Sequence, residues 1–145
     1  MKIHGEWEIT LIRNVIVSSV AGTFNEEGVQ AELRDYYALV PQEGAWATLI
    51  NLSNWDMGSD ATFKKVVDFH EWILNHGCQR IATVMPDTVR RTIHQKNTSQ
   101  ISAEIFRYFA TFEEACSWLT MQNFALGSDE NPHQKFLERT RLEQI

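Results

Sequence analysis

The run Trp46 to Leu52 is the feature that most limits how this chain can fold. Its residues are apolar except for one threonine and one asparagine. A strand with one face in water alternates apolar and polar residues, whereas a short continuous apolar run is typical of a central strand covered on both faces. The run therefore predicts the middle of a β-sheet.

Strand-like and helical patterns alternate around this run. Residues Trp7 to Leu11 alternate in polarity, Arg13-Asn14 suits a tight turn, and Val15 to Val20 is rich in β-branched residues, so together they predict a hairpin. The other predicted elements are a helix from Asn25 that Pro41 ends, a helix from Ser59 or Asp60 to Gly77, a strand from Arg80 to Met85, a helix from Pro86, a strand from Glu104 to Phe109 and a helix capped by Thr111.

The resulting order is β-β-α-β-α-β-α-β-α. It predicts a single α/β domain with a mixed, mainly parallel β-sheet, an N-terminal β-hairpin and helices packed against the sheet. A chain of 145 residues is long enough for one domain. We assign that domain to residues 1–126, and we assign residues 127–145 to a polar turn and a C-terminal tail helix, which either packs back on the domain or meets a partner.

Charge and cysteine content exclude several classes of protein. The chain has 19 acidic and 13 basic residues, and this negative balance repels phosphate backbones, so we expect no nucleic-acid partner. We expect no membrane span, because no apolar run approaches the roughly 20 residues that one needs. Met1 to Leu11 lacks the continuous apolar stretch of a secretory signal. Cys78 and Cys116 read as buried free thiols, which predicts a cytoplasmic location.

Motifs of common enzyme classes are absent from the sequence. There is no G-x-S-x-G, no G-x-G-x-x-G, no G-x-x-x-x-G-K-[ST] and no H-E-x-x-H. We therefore predict no catalytic residue, no cofactor and no metal site. His70 lies on the apolar side of its predicted helix, where we expect a hydrogen-bonded core histidine. Asp56 and Asp60 lie four residues apart and could share a divalent ion, which is the less favoured interpretation.

The segment after the predicted central strand is the candidate binding site. We expect residues Ser53 to Ser59 to be polar and irregular, and in open α/β sheets ligands bind where such a segment leaves the carboxyl end of a strand. The following helix start would favour an anion. A structural interpretation of single residues stays open, with Ser59 or Asp60 as the helix cap and Trp55 covering the core. The candidate binding residues are Ser53, Asn54, Trp55, Asp56, Ser59 and Asp60.

Short motifs in a fixed order carry a resemblance to a known family. They are Asn51-Leu52-Ser53 followed by Met57-Gly58-Ser59-Asp60, then Arg80-Ile81-Ala82-Thr83-Val84, and finally Glu104 to Phe109 with Glu113 to Leu119. Over residues 5–122 this order resembles the STAS domain of anti-sigma-factor antagonists, and especially its STAS-like branch.

The resemblance implies a non-catalytic regulatory module that binds a protein partner. In the family, phosphorylation of a serine at the helix start switches binding off, and the position carried over is Ser59. Asp60 stands where the family has a second serine, and its carboxylate would repel an added phosphate. The branch also implies an apolar groove beside the sheet for a lipid-like or other small ligand, so the expected occupant is a protein or a small apolar or anionic molecule.

Two alternatives remain at this stage. One is a small α/β enzyme of unrecognised type that uses Asp56, Asp60 or His70. The other is a structural subunit that forms a homodimer through its tail helix, Pro132 to Ile145.

Overall fold

A computed structural model describes residues 5–56 and 60–143 of the protein. Within these ranges the chain forms ten elements, and their order confirms the predicted alternation. The strands are β1 (Glu6–Ile12), β2 (Val15–Thr23), β3 (Trp46–Asp56), β4 (Cys78–Val84) and β5 (Phe106–Phe109). The helices are α1 (Glu26–Tyr37), α2 (Asp60–Leu74), α3 (Thr88–Thr98), α4 (Phe112–Met121) and α5 (His133–Glu143).

The five strands form one sheet in the order β1-β2-β3-β4-β5. β1 and β2 are antiparallel, and every later pair is parallel, as predicted. Each parallel strand is added on the same side of the one before it. Since such crossovers are right-handed, α1, α2 and α3 lie on one face of the sheet. The chain then continues past β5, and α4 and α5 cover the opposite face.

Helices on both faces bury the first seven residues of the central strand. Residues 46–52 are all buried, which confirms the prediction from the apolar run. Alternate side chains enter two separate cores: Ile50 packs in the core under α1–α3, and Leu49 packs in the core under α4. We refer to these two sides as the α1–α3 face and the α4–α5 face.

β3 continues further than predicted. Asn51 pairs with Ser19 and Asn54 pairs with Ala21, so β3 carries one more residue than β2 in this interval. This bulge returns Trp55 to the α1–α3 face, where it joins the same core as Leu52. The prediction of an irregular segment from Ser53 was therefore wrong for residues 53–56, which are paired strand. Residues 57–59 lie outside the described residues.

Several smaller boundaries also differ from prediction. α1 ends at Tyr37, because the amides of Leu39 and Val40 form a turn with the carbonyls of Tyr36 and Tyr37. β4 begins at Cys78 and β5 at Phe106. In the hairpin turn the left-handed residue is Arg13, with φ 54°. Thr111 is confirmed as the N-cap of α4, since the Glu114 amide donates to the Thr111 hydroxyl.

The tail helix packs back on the domain. α5 contacts β1 and β2, and Phe136 is fully buried. Arg13 binds the Glu130 carboxylate and donates to the Ala125 carbonyl at 3.2 Å, which fastens the segment before α5 to the hairpin. Both cysteines are free and buried, as expected. Among the described residues, no helix is long and apolar enough to cross a membrane.

Candidate functional site

The end of β3 presents different side chains to the interior and to the surface. Trp55 points inward and is only 5% exposed, whereas Asn54 and Asp56 are exposed. Ser53 is half-buried, and its hydroxyl donates to Oδ1 of Asn51 at 2.6 Å. Four of the six candidate residues therefore lie on one strand end. Ser59 and the Asp60 side chain lie outside the described part of the chain.

Two neighbouring elements hold this strand end in place. Arg90 of α3 donates to the Trp55 carbonyl at 2.7 Å and to the Asp56 carboxylate at 3.0 Å. On the other side, Nε2–H of His133 at the start of α5 donates to Oδ1 of Asn54 at 3.1 Å. The candidate segment is thus a junction between α3, α5 and the central strand.

A cavity of about 70 Å³ lies directly beneath this junction. It lies between β2, β3 and β4 below and α1, α2 and α3 above, and its wall is mostly apolar. Leu52 and Trp55 contribute to the wall, so the inward side of the candidate segment is also the lining of the cavity. The largest of the other apolar wall residues are Phe24 and Phe69.

A carboxyl group lies at the β2 side of the cavity. Glu32 of α1 accepts a hydrogen bond from the Ser18 hydroxyl at 3.2 Å. Burial, opposed by this hydrogen bond and assisted by the negative charge of Asp35, raises the pKa of Glu32 to about 7. The group is therefore close to half ionised at neutral pH.

Two histidines and a threonine lie at the opposite side. His70 and Thr83 are 3% and 1% exposed, and Nδ1 of His70 and Oγ1 of Thr83 have no hydrogen-bond partner within the described residues. His70 is thus buried in the core as expected, whereas its Nδ1 lacks the hydrogen bond of a fully satisfied core histidine among these residues. Nδ1 of His94 is hydrogen-bonded to the Tyr108 hydroxyl. Burial lowers the pKa of His70 to about 3 and that of His94 to about 4, so both imidazoles are neutral at pH 7.

Strand register separates these two polar sides. Ser18 pairs with Ile50, and Ile50 pairs with Thr83, so the three form one row across the cavity floor. Because adjacent strands lie about 4.8 Å apart, the backbones of Ser18 and Thr83 are separated by roughly 10 Å. The cavity therefore has an apolar middle and a polar group at each end.

The site does not assemble the residues of the predicted enzyme alternative. Asp56 binds Arg90 at the surface, while His70 is buried in the cavity wall. A general base works best with a pKa near the working pH, and the pKa of His70 is far below it. Within residues 5–56 and 60–143, no group of three or more histidine, cysteine or acidic side chains is placed to hold a metal ion.

Sequence reasoning missed the most unusual cavity residue, Glu32. The signal was present, because Glu32 lies three residues after Val29 and four before Tyr36, inside the apolar stripe of α1. A carboxylate in such a stripe is either paired or functional. Ser18 and Thr83 gave a weaker signal, since a hydroxyl on a buried strand is common.

Comparison with known proteins identifies the architecture. No family model matches the chain, and no curated protein matches it. An uncharacterised DUF3478-family protein with a SpoIIAA-like fold from Shewanella loihica superposes with a TM-score of 0.60 and 13% identity, covering 82% of this chain and 96% of that one. An anti-sigma factor antagonist from Mycobacterium paratuberculosis superposes with a TM-score of 0.56 and 20% identity, covering 79% and 92%. The protein therefore has the SpoIIAA-like, or STAS-like, fold that its motif order predicts.

Proposed function

We propose that this protein is a non-catalytic binding module that senses a small, mostly apolar ligand and reports it to a protein partner. The observation that carries the proposal is the shared wall: Leu52 and Trp55 line the cavity, while Asn54 and Asp56 on the same strand end face the surface. A ligand that displaces the inward side chains would move the outward ones, because both belong to one continuous backbone segment.

The neighbouring elements would extend this response. Arg90 is bonded to both Trp55 and Asp56, so a shift of the strand end would be transmitted to α3. α2 supplies Thr62, Lys65, Val66, Phe69 and His70 to the cavity wall, so its position would also depend on what the cavity holds. A partner that contacts the strand end and the start of α2 would therefore meet a different surface in the two states.

The similarity in fold supports a partner-binding role. One of the structural neighbours is an anti-sigma factor antagonist, a regulatory protein by name. For this chain we propose that a protein partner binds at Ser53, Asn54, Asp56, Ser59 and Asp60. Ser59 would be the position of a phosphate switch, and intact-mass measurement on protein from its own host, with and without phosphatase, tests that part separately. Unmodified Ser59 under all growth conditions would remove the switch and leave the binding surface.

Cavity binding is tested by nuclear magnetic resonance titration with 1-butanol as a neutral probe. We expect saturable shifts at cavity residues and at the amides of Asn54 and Asp56. Val66→Phe should fill the cavity and abolish both sets of shifts. The control is Val67→Phe, on the neighbouring residue of α2 outside the cavity wall, which should leave them intact. Shifts that survive Val66→Phe unchanged, or that never reach Asn54 and Asp56, would contradict the proposal.

A further inference from the structure

The polar groups of the cavity are mainly hydrogen-bond acceptors. A carboxylate only accepts, and a neutral imidazole has one acceptor nitrogen, so Glu32 and His70 both offer acceptors. The Ser18 hydroxyl uses its proton on Glu32. Oγ1 of Thr83, which has no partner in the described part of the chain, can also accept. A ligand with N–H donors would satisfy these acceptors, whereas the carboxylate of Glu32 would repel an anion.

The carboxylate of Glu32 forms no ion pair with a basic side chain among the described residues. Lys65 of α2 lies in the cavity wall, but it forms no ion pair with Glu32 among the described residues. Asp35 on α1 adds further negative potential at Glu32, and the imidazoles that α2 and α3 contribute are neutral. A partly buried carboxylate without a cationic partner is costly, and a cationic ligand would offset that cost.

The remaining wall suits the hydrocarbon part of such a ligand. Phe24 and Phe69 offer aromatic faces that attract a cation, and Ile50, Leu52 and Trp55 form an apolar surface. One water molecule needs roughly 10–15 Å³ of cavity volume. A cavity of about 70 Å³ therefore holds about five non-hydrogen atoms. That is the size of an alkylamine with four carbons.

We propose that the cavity selects a small aliphatic amine in its protonated form, with the ammonium group paired to Glu32 and the alkyl chain against Ile50 and Trp55. This inference rests on the proposed function, since it names the chemical class of the cavity's ligand. It is separable from that function, because an apolar cavity can bind a neutral molecule of the same size equally well.

The experiment compares n-butylamine with 1-butanol, which have the same number of non-hydrogen atoms. Both are titrated into the native protein at about pH 8, above the pKa of Glu32 and below that of an alkylamine. We expect the amine to bind at least tenfold more tightly than the alcohol. Glu32→Gln should reduce this preference to near unity, and Glu26→Gln, at an exposed position in the first turn of α1, should leave it unchanged.

A measurement on the native protein alone guards against misfolding of the variant. At about pH 5 Glu32 is protonated while the amine keeps its charge, so the preference should also disappear there. Equal binding of amine and alcohol at pH 8 would overturn the amine proposal and leave the cavity function standing. Binding of neither molecule would overturn both. If the preference for the amine persists in Glu32→Gln, other carboxylates cause it and the inference is overturned.

Discussion

The two faces of the sheet are built from alternate residues of the same strands, yet they differ in kind. On the α4–α5 face, small aliphatic side chains such as Val17, Leu49 and Ala82 pack against α4. On the α1–α3 face, the residues that follow them are Ser18, Ile50 and Thr83, and the helices above contribute large aromatic rings and an acidic group. The row on one face is aliphatic, whereas the other face has a cavity with a polar group at each end.

This difference indicates a division of labour within one sheet. Small aliphatic residues allow a helix to approach closely and give dense packing, which stabilises the fold. Hydroxyls in the strand row and a carboxyl group on the helix above it weaken packing, and a ligand explains their presence better than stability does. The comparison predicts that substitutions on the two faces differ in size and sometimes in sign.

The largest expected effect is acid destabilisation, and it comes mainly from the α1–α3 face. Burial lowers the pKa of His70 to about 3 and those of His94 and His133 to about 4, against 6.5 for ordinary histidine. Between these values the unfolded chain binds protons that the folded chain does not, so stability falls as the pH decreases below about 6.5. Glu32 has the opposite effect, because the folded chain binds about one proton there that the unfolded chain does not. Near pH 5 the unfolded chain therefore binds about two more protons than the folded chain, and its stability changes by about 3 kcal/mol per pH unit.

Urea unfolding across this pH range measures that slope. His70→Gln and His94→Gln should each remove the part of this slope that comes from one proton. His133→Gln should do the same, and it also alters the contact of α5 with Asn54. A native protein whose stability is flat from pH 7 to pH 5 would show that these imidazoles titrate normally, and the contrast between the faces would lose its electrostatic part.

Truncation of neighbouring residues on β3 compares the packing of the two faces directly. Leu49→Ala removes a fully buried side chain from the dense face and should cost about 3 kcal/mol. Ile50→Ala removes a similar volume beside an existing cavity, where the wall can relax, and should cost about 1 kcal/mol less. Chemical denaturation of both variants gives the difference. Equal costs would mean that the cavity face is as tightly packed as the other.

Much of the fold was accessible from the sequence because its signals are local. Three examples are the apolar run from Trp46, the helix cap at Thr111 and the turn at Arg13. Each signal depends on neighbouring residues, and the structure has each feature where it was predicted. The continuation of β3 to Asp56 was not accessible in this way. Its polar residues are satisfied by distant groups, Arg90 and His133, which a local pattern cannot show.

The residues of the cavity could not be predicted from the sequence, although the strand end above it was the predicted binding segment. The end of the central strand was identified from topology, and the structure puts a cavity beneath it. The cavity residues come from separate elements, with Ser18, Glu32, Thr83 and His94 brought together only by strand register and helix packing. Glu32 was the exception, since a charge within the apolar stripe of α1 is visible in the sequence itself.

Glu32 should make the cavity face less stable as the pH rises. Its pKa of about 7 lies above the ordinary 4.5, so its contribution is fully present below about pH 4.5 and is lost as the pH rises through 7. Because the side chain is partly exposed, we expect the loss to be on the order of 2 kcal/mol. The stability of the native protein relative to Glu32→Gln should therefore fall by this amount between about pH 5 and pH 8, as measured by urea unfolding of both, because the histidine contributions cancel in the difference. A difference that does not change with pH, as expected for the native protein relative to Glu26→Gln, would assign no such contribution to Glu32.

The smallest effect is also the sharpest comparison, because it uses two buried threonines on the same face. Thr48 donates to the Ile16 carbonyl at 2.9 Å and is hydrogen-bonded to the Tyr36 hydroxyl at 2.6 Å. The Thr83 hydroxyl, by contrast, has no partner anywhere in residues 5–56 and 60–143. Replacing a satisfied hydroxyl leaves its partners unpaired, whereas replacing an unsatisfied one relieves a desolvation cost.

Thr48→Val should therefore destabilise the protein by about 1–2 kcal/mol, and Thr83→Val should stabilise it by about 1 kcal/mol. Thermal and urea unfolding of the two variants measure this difference in sign. If Thr83→Val is destabilising like Thr48→Val, a bound water or ligand satisfies the hydroxyl in solution. If it is stabilising but weakens binding of the butylamine probe, Thr83 is kept for the ligand at the expense of stability, which is what the contrast between the two faces implies.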